Sequence, residues 1–319
     1  AIASHIPSVQ IGSTYFQETH PDRIFEECSV YNELISSAAQ SPRTVNSAIR
    51  HAVGLGGVSV ITLPGDVSDL KAVEHVPTYA PVRPATLTPN PADIDEAAAL
   101  LNKADKVAIF AGAGVEGAHD EVIALADALK APIGHSLRGK HFIQYDNPFD
   151  VGMTGLLGYG AAAEGMNDAD VLILLGTDFP YDQFLPSTPT IQVDTHAEKL
   201  GRRTDVGLAI HSQVKPFIEA LMPHLRQDRS DSFLKRKLKK HAEIMHAPVG
   251  AYTRNVEKMH PIHPEYAAHL LNETAAKDAI ITADTGMCNV WTARYLDPLG
   301  TRRLIGSFLH GSMANALPM

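Results

Sequence analysis

The sequence predicts an α/β fold in which doubly wound parallel sheets carry helices on both faces. Two observations predict it. Short apolar runs such as 58–63 are continuous rather than alternating, as expected of strands that are covered on both faces. These runs also alternate with helical patterns along the 319 residues, which is typical of parallel sheets.

The predicted elements follow one another in three blocks. The first 70 residues alternate strand and helix signals and begin with 1–3, which we interpret as the end of a buried strand. Five prolines then fall between Pro77 and Pro91, and they predict a linker because proline lacks the backbone N–H of a helix. The middle block predicts helix 118–129 and strands 106–111, 131–135, 171–175, 190–194 and 206–210.

The third block follows a polar stretch at 226–246, which predicts a connection. We interpret its basic run at 235–240 as a solvated helix face or linker rather than a phosphate groove. The remaining elements are a helix at 263–271, strands at 279–283 and 303–307, and one helical turn at 314–317.

Both ends of the chain look cut, since neither end has the caps and polar tip of an ordinary terminus. We therefore expect an excerpt from a longer enzyme, with a frayed terminus as the alternative. The Gly-Ser turn at 311–312 follows a predicted strand at the start of a helical turn. Proteins bind anions at such places, because free backbone N–H groups point at the ligand.

Composition narrows the class of protein. The net charge of −9 argues against nucleic acid as a partner, because phosphate contacts need a concentrated basic face. Only Cys28 and Cys288 are present, which predicts a reducing, cytoplasmic environment without a disulfide framework. The sequence has no signal peptide and no apolar run of about 18 residues that would suggest a membrane span.

Residues 112–117 match the pattern G-x-G-x-x-G directly after the strand predicted at 106–111. Glycines in this context allow a tight turn and a close approach of the backbone to a pyrophosphate. The next strand, 131–135, lacks the following acidic residue of an ordinary NAD site, which argues against NAD. Two interpretations stay open: contact with a nucleotide, or glycines that only permit a close strand-to-helix turn.

Three further segments suit a dinucleotide at the edge of this sheet. Asp194 ends the strand predicted at 190–194, where a carboxylate is well placed for ribose hydroxyls. Residues 176–181 follow strand 171–175 and supply a small turn residue, hydroxyl donors and aromatic surface. Residues 154–158 form a glycine-containing loop that could wrap a cofactor ring. Together these segments predict a dinucleotide bound along one sheet edge.

Five strings in chain order resemble those of the bacterial pyruvate oxidases, most closely the quinone-reducing type, within the thiamine diphosphate enzyme superfamily. The strings are SHIP at 4–7, YFQETHP at 15–21, LPGDV at 63–67, DVGMTG at 150–155 and GSMANA at 311–316. The resemblance covers essentially the whole chain. It implies the C-terminal half of a pyrimidine-binding domain at 1–85, a complete, Rossmann-like FAD-binding domain at 86–238 and the beginning of a diphosphate-binding domain at 239–319.

The resemblance also implies the roles of individual residues. FAD-binding positions are Thr154, Gly155, Leu156, Leu157, Thr177, Asp178, Phe179, Pro180, Tyr181 and Asp194, with Gly112, Gly114 and Arg138 as further contacts. Thiamine diphosphate positions are Gly311, Ser312 and Met313, with the turn 284–286 nearby. Phe16 and Gln17 resemble the pair that lines the reaction centre, where Gln17 would orient the substrate carboxylate or the intermediate and Phe16 would pack between the two cofactors. The alternative is a loop aromatic residue with a solvated neighbour.

For the complete enzyme, the resemblance implies an oxidoreductase that decarboxylates pyruvate and passes electrons through FAD to a quinone. An acetolactate synthase and a phosphate-dependent pyruvate oxidase are alternatives, and a free-standing nucleotide-binding module is the alternative of another class. The activating glutamate and the Mg²⁺ ligands of the family are expected outside these residues, so no metal site is assigned and the chain alone is predicted to be inactive. The resemblance further implies a homo-oligomer, which would be a tetramer in the longer parent enzyme. It also implies a peripheral position of that enzyme on the inner face of the cell membrane. Leu309 departs from the polar residue expected there.

Overall fold

The computed structural model describes residues 1–74 and 79–319, which fall into two compact units, Ala1–Thr86 and Leu87–Met319. Pro77, the first proline of the predicted linker, lies outside the described residues. The rest of that segment, 79–90, forms neither helix nor strand, as predicted.

The first unit is a small α/β sheet. Its three parallel strands are ordered β1-β3-β2, so that only β3 has a strand on both sides. The strands are β1 (Ile2–His5), β2 (Tyr31–Leu34) and β3 (Ser59–Pro64), and the helices are α1 (Pro21–Ile24), α2 (Ser41–Leu55) and α3 (Gly65–Ser68). The prediction of a buried strand at 1–3 is wrong in its burial: β1 is an edge strand, and Ile2 is 71% exposed.

The second unit is built on a seven-stranded sheet with the order β10-β9-β8-β4-β5-β6-β7. Its strands are β4 (Val107–Ala111), β5 (Ile133–His135), β6 (Asp150–Met153), β7 (Tyr159–Gly160), β8 (Val171–Leu175), β9 (Thr190–Asp194) and β10 (Leu208–His211). All pairs are parallel except β6 with β7, which is antiparallel. The α/β class is therefore confirmed, and the sheet is mixed rather than wholly parallel. Strands β6 and β7 were not predicted, because each is short and contains glycine.

Helices flank this sheet and continue beyond it. They are α4 (Pro91–Lys103), α5 (His119–Leu129), α6 (Lys140–Ile143), α7 (Ala162–Asn167), α8 (Val214–Leu221), α9 (Ser232–Ile244), α10 (Pro264–Thr274) and α11 (Met287–Tyr295). The core lies on both faces of the sheet. Along β4, Ile109 and Ala111 join one buried cluster while Ala108 and Phe110 join another. The continuous apolar run predicted this double coverage correctly.

Most of the connection predicted at 226–246 is helix α9, which bears out the helix face, one of the two interpretations of its basic run. This run is not wholly solvated. Lys237 is only 3% exposed, and its Nζ donates to Glu164 on helix α7 at 2.6 Å and to Asp168, just after that helix, at 2.5 Å. A lysine can be buried in this way because both carboxylates compensate its charge.

The C-terminal segment contains a two-stranded parallel sheet of β11 (Ile280–Ala283) and β12 (Arg303–Gly306). The helical turn predicted at 314–317 is wrong: these residues form non-helical turns, and Ala314 has a φ of 59°. The Asn315 side chain competes with helix formation, because its Nδ2 donates to Asp284 at 3.0 Å and its Oδ1 accepts from the Ser307 N–H at 3.2 Å.

Cys28 and Cys288 are both free thiols. Among the helices of the described residues, none combines the length and apolar character needed to cross a membrane.

Candidate functional site

A cavity of about 530 Å³ opens at the carboxyl ends of the strands in the seven-stranded sheet. The chain runs from β4 through β5, β6 and β7, and then returns to place β8 on the other side of β4. Strand order thus reverses between β4 and β8, and the loops after these two strands line the cavity. Crevices outside the carboxyl ends at such a switch point are where open α/β sheets bind ligands.

Most of the residues predicted for FAD line this cavity. They are Gly114, Arg138, Thr154, Leu156, Leu157, Thr177, Asp178, Phe179, Pro180, Tyr181 and Asp194. Gly112 and Gly155 are not among its lining residues, although their neighbours are. The structure therefore brings together segments that are far apart in the sequence.

The glycine motif mainly serves close packing. A Cβ on Gly112 would lie 2.3 Å from the Gly176 carbonyl oxygen, and one on Gly114 would lie 2.6 Å from the Gly176 Cα. A short 3₁₀ turn, Ala113–Val115, follows the strand, and α5 begins only at His119. Gly112 and Gly114 do not sit at the start of that helix, and they permit a close contact of two strand-end loops. Gly114 also lines the cavity, which leaves nucleotide contact open for that residue.

Asp194 is the acidic group at the polar end of the cavity. It ends β9, is 7% exposed, and its Oδ1 accepts a hydrogen bond from the His196 N–H at 2.9 Å. The His196 ring lies beside the same oxygen, with Nδ1 at 3.3 Å. These contacts engage one carboxylate oxygen, while the other faces no hydrogen-bond donor among the described residues. A ribose hydroxyl is a suitable donor for it.

Basic side chains surround the same end. Arg202 and Arg203 both pair with Asp178. Arg203 Nε lies 3.3 Å from Asp178 Oδ1, and Arg202 also bonds to the carboxylate. Arg202 and Lys199 line the cavity at this end, and Arg138 lines it in the loop after β5. Cations at this position suit the phosphate groups of a nucleotide.

The opposite end of the cavity is apolar and is formed by the loop 154–158. Thr154 is buried, and in the part of the chain that the structure describes its Oγ1 has no hydrogen-bond partner. Gly155 has a φ of 100°, and a Cβ there would lie 2.9 Å from the Phe179 ring. A buried hydroxyl without a partner beside a cavity points to a ligand that supplies one.

Four strand spacings separate the two ends, because β9, β8, β4, β5 and β6 are consecutive in the sheet. At about 4.8 Å for each spacing, strands β9 and β6 lie about 19 Å apart in the sheet. An elongated ligand with a polar and an apolar end fits this shape.

A buried polar network lies beneath the apolar end. Lys140 is 2% exposed, its Nζ bonds to Gln144 and lies 3.3 Å from the Tyr159 hydroxyl, and Gln144 Nε2 donates to Asp150 at 3.2 Å. Burial lowers the pKa of Lys140 to about 8, although the Asp150 and Asp297 carboxylates oppose this shift. Burial likewise lowers the pKa of the nearby His135 to about 4 and raises the pKa of Tyr159.

Replacing Lys140 by Met is expected to change how stability depends on pH. The folded pKa of Lys140, about 8, lies below that of an unfolded lysine, so the unfolded state binds more protons between these two values. The free energy of unfolding of the parent chain should therefore rise between about pH 8 and about pH 10. The expected slope is about 1 kcal/mol per pH unit. Urea unfolding at several pH values measures this slope.

Lys140→Met should lack the rise, while Lys239→Met, at an exposed lysine of α9, should keep it. Tyr159 faces the same network, and its raised pKa acts in the opposite sense only above about pH 10. Equal slopes in the parent and Lys140→Met would contradict the prediction.

The remaining predicted site residues lie elsewhere. Phe16 and Gln17 belong to the first unit, where Phe16 is exposed and Gln17 has a φ of 63°. Gly311, Ser312 and Met313 are exposed in the C-terminal segment. The structure joins their turn to the turn 284–286, since Thr285 Oγ1 donates to the Ser312 carbonyl at 2.7 Å.

Sequence reasoning missed part of the cavity wall. The additional lining residues are Ala113, Glu116, Ser136, Leu137, Met153, Thr195, His196, Lys199, Arg202, Ser212, Val214, Phe308 and Leu309. Many of them directly follow strand ends, which is the signal that could have identified them. Phe308 and Leu309 come from the C-terminal segment, and no local pattern connects them with the central sheet. Leu309, unexpected at the sequence level, thus contributes to the apolar lining.

No group of three or more His, Cys, Asp or Glu side chains is placed to hold a metal ion within residues 1–74 and 79–319.

The middle of the chain matches a known protein family, and the chain is similar to several known proteins. Residues 94–221 match the family description "Thiamine pyrophosphate enzyme, central domain". An uncharacterized 42.6 kDa protein of Pseudomonas amyloderamosa is 48% identical over 237 residues, which cover 73% of this chain and 60% of that protein. The putative thiamine pyrophosphate-containing protein YdaP of Bacillus subtilis is 31% identical over the whole chain, which covers 55% of YdaP. A probable acetolactate synthase large subunit of Methanocaldococcus jannaschii is 28% identical over 344 residues, which cover 100% of this chain and 56% of that protein.

The chain spans between 55% and 60% of the length of these relatives. Its middle part matches the central domain, and its full length aligns with proteins named for thiamine pyrophosphate or acetolactate synthesis. The chain therefore carries the central domain of a thiamine pyrophosphate enzyme and is homologous to the thiamine pyrophosphate-dependent enzymes.

Proposed function

We propose that the chain is part of a thiamine diphosphate-dependent oxidoreductase that binds FAD in the cavity of its second unit and oxidatively decarboxylates pyruvate. The observation that carries the FAD assignment is the elongated cavity at the strand-order switch. Asp194 and nearby cations lie at one end, and an apolar loop with the unpartnered Thr154 hydroxyl lies at the other.

The residues present fit a flavin dinucleotide. Asp194 would bind ribose hydroxyls, the cations at 138, 199 and 202 would bind the phosphates, and the loop 154–158 with Phe308 would enclose the ring. A bound flavin supplies the ability to accept two electrons. The apolar wall would exclude water from the ring, and the Thr154 hydroxyl would orient it through a hydrogen bond.

Thiamine diphosphate is assigned to the turn 311–313. This turn contacts the turn 284–286 through the hydrogen bond between Thr285 and Ser312. When bound, it supplies an electron sink for cleavage of the bond between the carboxyl and keto carbons. Within this chain, Met313 would support the ring. The Gly311 N–H donates to the Ser307 carbonyl at 2.8 Å and the Ser312 N–H to Ser307 Oγ at 3.1 Å, so these two groups are not free for the phosphates. Mg²⁺ would accompany the diphosphate, held by residues outside this sequence. Phe16 and Gln17 would line the reaction centre of the complete enzyme.

The electron acceptor that we propose is a quinone, since the strings quoted above resemble the quinone-reducing oxidases. The complete enzyme would be a homo-oligomer, a tetramer by resemblance, and would act in the cytoplasm or on the inner face of the cell membrane. We assign 1–85 to the pyrimidine-binding domain, 86–238 to the FAD-binding domain and 239–319 to the diphosphate-binding domain.

Acetolactate synthase activity is the second candidate, favoured by a specific observation. Several proteins that align with the whole chain carry that name, including the probable large subunits of Methanocaldococcus jannaschii and Methanococcus aeolicus. In such an enzyme a second keto acid would replace the quinone as acceptor.

Two measurements test the proposal. The purified chain, titrated with FAD, should acquire the visible absorption of an oxidised flavin, and it should not decarboxylate pyruvate by itself. The complete enzyme should reduce a quinone analogue when pyruvate is added. A complete enzyme that forms acetolactate and leaves the quinone oxidised would establish the second candidate instead, and a chain that binds no FAD would contradict the cavity assignment.

A further inference from the structure

The loop 154–158 forms the apolar end of the cavity and depends on its surroundings for its shape. It closes on itself through a hydrogen bond from the Gly158 N–H to the Gly155 carbonyl at 2.9 Å. Gly155 occupies a backbone conformation with a φ of 100°, which provides freedom rather than rigidity. Contacts from neighbouring elements must therefore hold the loop in one position.

One support comes from the central sheet itself. Tyr159 directly follows the loop, and its buried hydroxyl accepts a hydrogen bond from Gln144 Nε2 at 2.9 Å, with Lys140 Nζ at 3.3 Å. The hydroxyl is thereby fixed at the exit of the loop. This network lies within the central domain.

The second support comes from helix α11 in the C-terminal segment. Ala293 is fully buried and shares a hydrophobic cluster with Met153 and Tyr159, the residues that flank the loop. The next residue, Arg294, donates from Nη2 to the Gly158 carbonyl at 3.2 Å. A charged donor on a backbone carbonyl forms one of the stronger hydrogen bonds.

Within the described residues, the hydrogen bond to Gly158 is the one that the Arg294 guanidinium makes, and its buried Nε has no partner there. Helix α11 begins immediately after the turn 284–286, which bonds to Ser312. The helix thus connects that turn with the cavity loop over 9 residues.

We propose that Arg294 is a positioning residue for the cavity: it holds loop 154–158 in the place that the cavity ligand requires. A helix of the C-terminal segment then sets the shape of a site that belongs to the central sheet. The identity of the ligand as FAD rests on the proposed function, whereas the control of the loop does not.

Hydrogen exchange on the ligand-free chain tests the proposal directly. Arg294→Met should speed exchange in peptides that cover 151–160 by about three- to tenfold, the range expected for loss of one such hydrogen bond. Peptides that cover β4 should be unchanged. Arg294→Lys keeps a cationic donor and should restore most of the protection, and Arg303→Met, at an exposed arginine of β12, should behave like the parent.

FAD titration of the same variants supplies the second readout. Arg294→Met should raise the dissociation constant for FAD by about three- to tenfold while the unfolding midpoint of the ligand-free chain stays unchanged. If the parent chain does not bind FAD but loop exchange is faster in Arg294→Met, the proposed function is contradicted and the positioning role is supported. Unchanged loop exchange in Arg294→Met, or an equal increase in all peptides with a lower unfolding midpoint, would overturn the positioning role.

Discussion

Replacing Asp194 by Ala is expected to raise the dissociation constant for FAD by about ten- to hundredfold, the effect of losing a hydrogen bond to a charged group. The carboxylate is buried at the end of β9, and the His196 N–H fixes its orientation at 2.9 Å. Titration of the purified chain by flavin fluorescence measures this change.

Two further variants separate charge from shape in this experiment. Asp194→Asn keeps an oxygen that can accept from the His196 N–H, so it should lose less affinity than the Ala variant. Glu198→Ala removes an exposed acidic residue of the same loop and should bind FAD like the parent. If Asp194→Ala binds FAD as tightly as the parent, the carboxylate does not contact the ligand.

Replacing Gly112 by Ala is expected to lower the free energy of unfolding by about 2 kcal/mol or more, because the new methyl group has no room. Its Cβ would lie 2.3 Å from the Gly176 carbonyl oxygen and 2.5 Å from the Thr177 Cβ. Both obstacles are backbone or are fixed close to it, so the loops after β4 and β8 must separate. Urea unfolding gives the loss of stability, and FAD titration should show weaker binding as well.

Gly165→Ala is the matched control, with the same chemical change in helix α7. There the added Cβ meets ordinary contacts, 3.7 Å from Pro132 and 4.0 Å from Lys237. Because alanine favours a helix over glycine, this variant should gain up to about 1 kcal/mol of stability. Opposite signs for the two substitutions would support the packing explanation, and a neutral Gly112→Ala would refute it.

The sequence predicted the central sheet well because buried parallel strands leave a strong local signal. Strands 171–175 and 190–194 match β8 and β9 residue for residue, and the strand-end positions of Asp194 and Thr177 followed from them. Short elements with little apolar content were less visible. Strands β6 and β7 gave no continuous run, and α9 was interpreted as a connection because its exposed lysines concealed an inward face.

Contacts between distant segments could not be predicted from local patterns. The wall that Phe308 and Leu309 contribute to the cavity depends on how the C-terminal segment packs on the central sheet. The same holds for Arg294 and Gly158, which are 136 positions apart. The glycine motif illustrates a third limit: its spacing fits pyrophosphate binding, whereas the structure uses Gly112 for a close contact of two loops.

The cavity wall from the C-terminal segment also bears on how this protein can be divided or recombined. A domain that has been moved between proteins as an independent module is expected to carry its whole binding site within its own boundaries. Here Phe308 and Leu309 line a cavity whose sheet ends at His211, and Arg294 donates to the loop that forms its apolar end. Exchanging the central sheet alone between relatives would separate a site from part of its wall. The smallest portable unit of this molecule is therefore the combination of the central sheet with helix α11 and the C-terminal segment through Leu309.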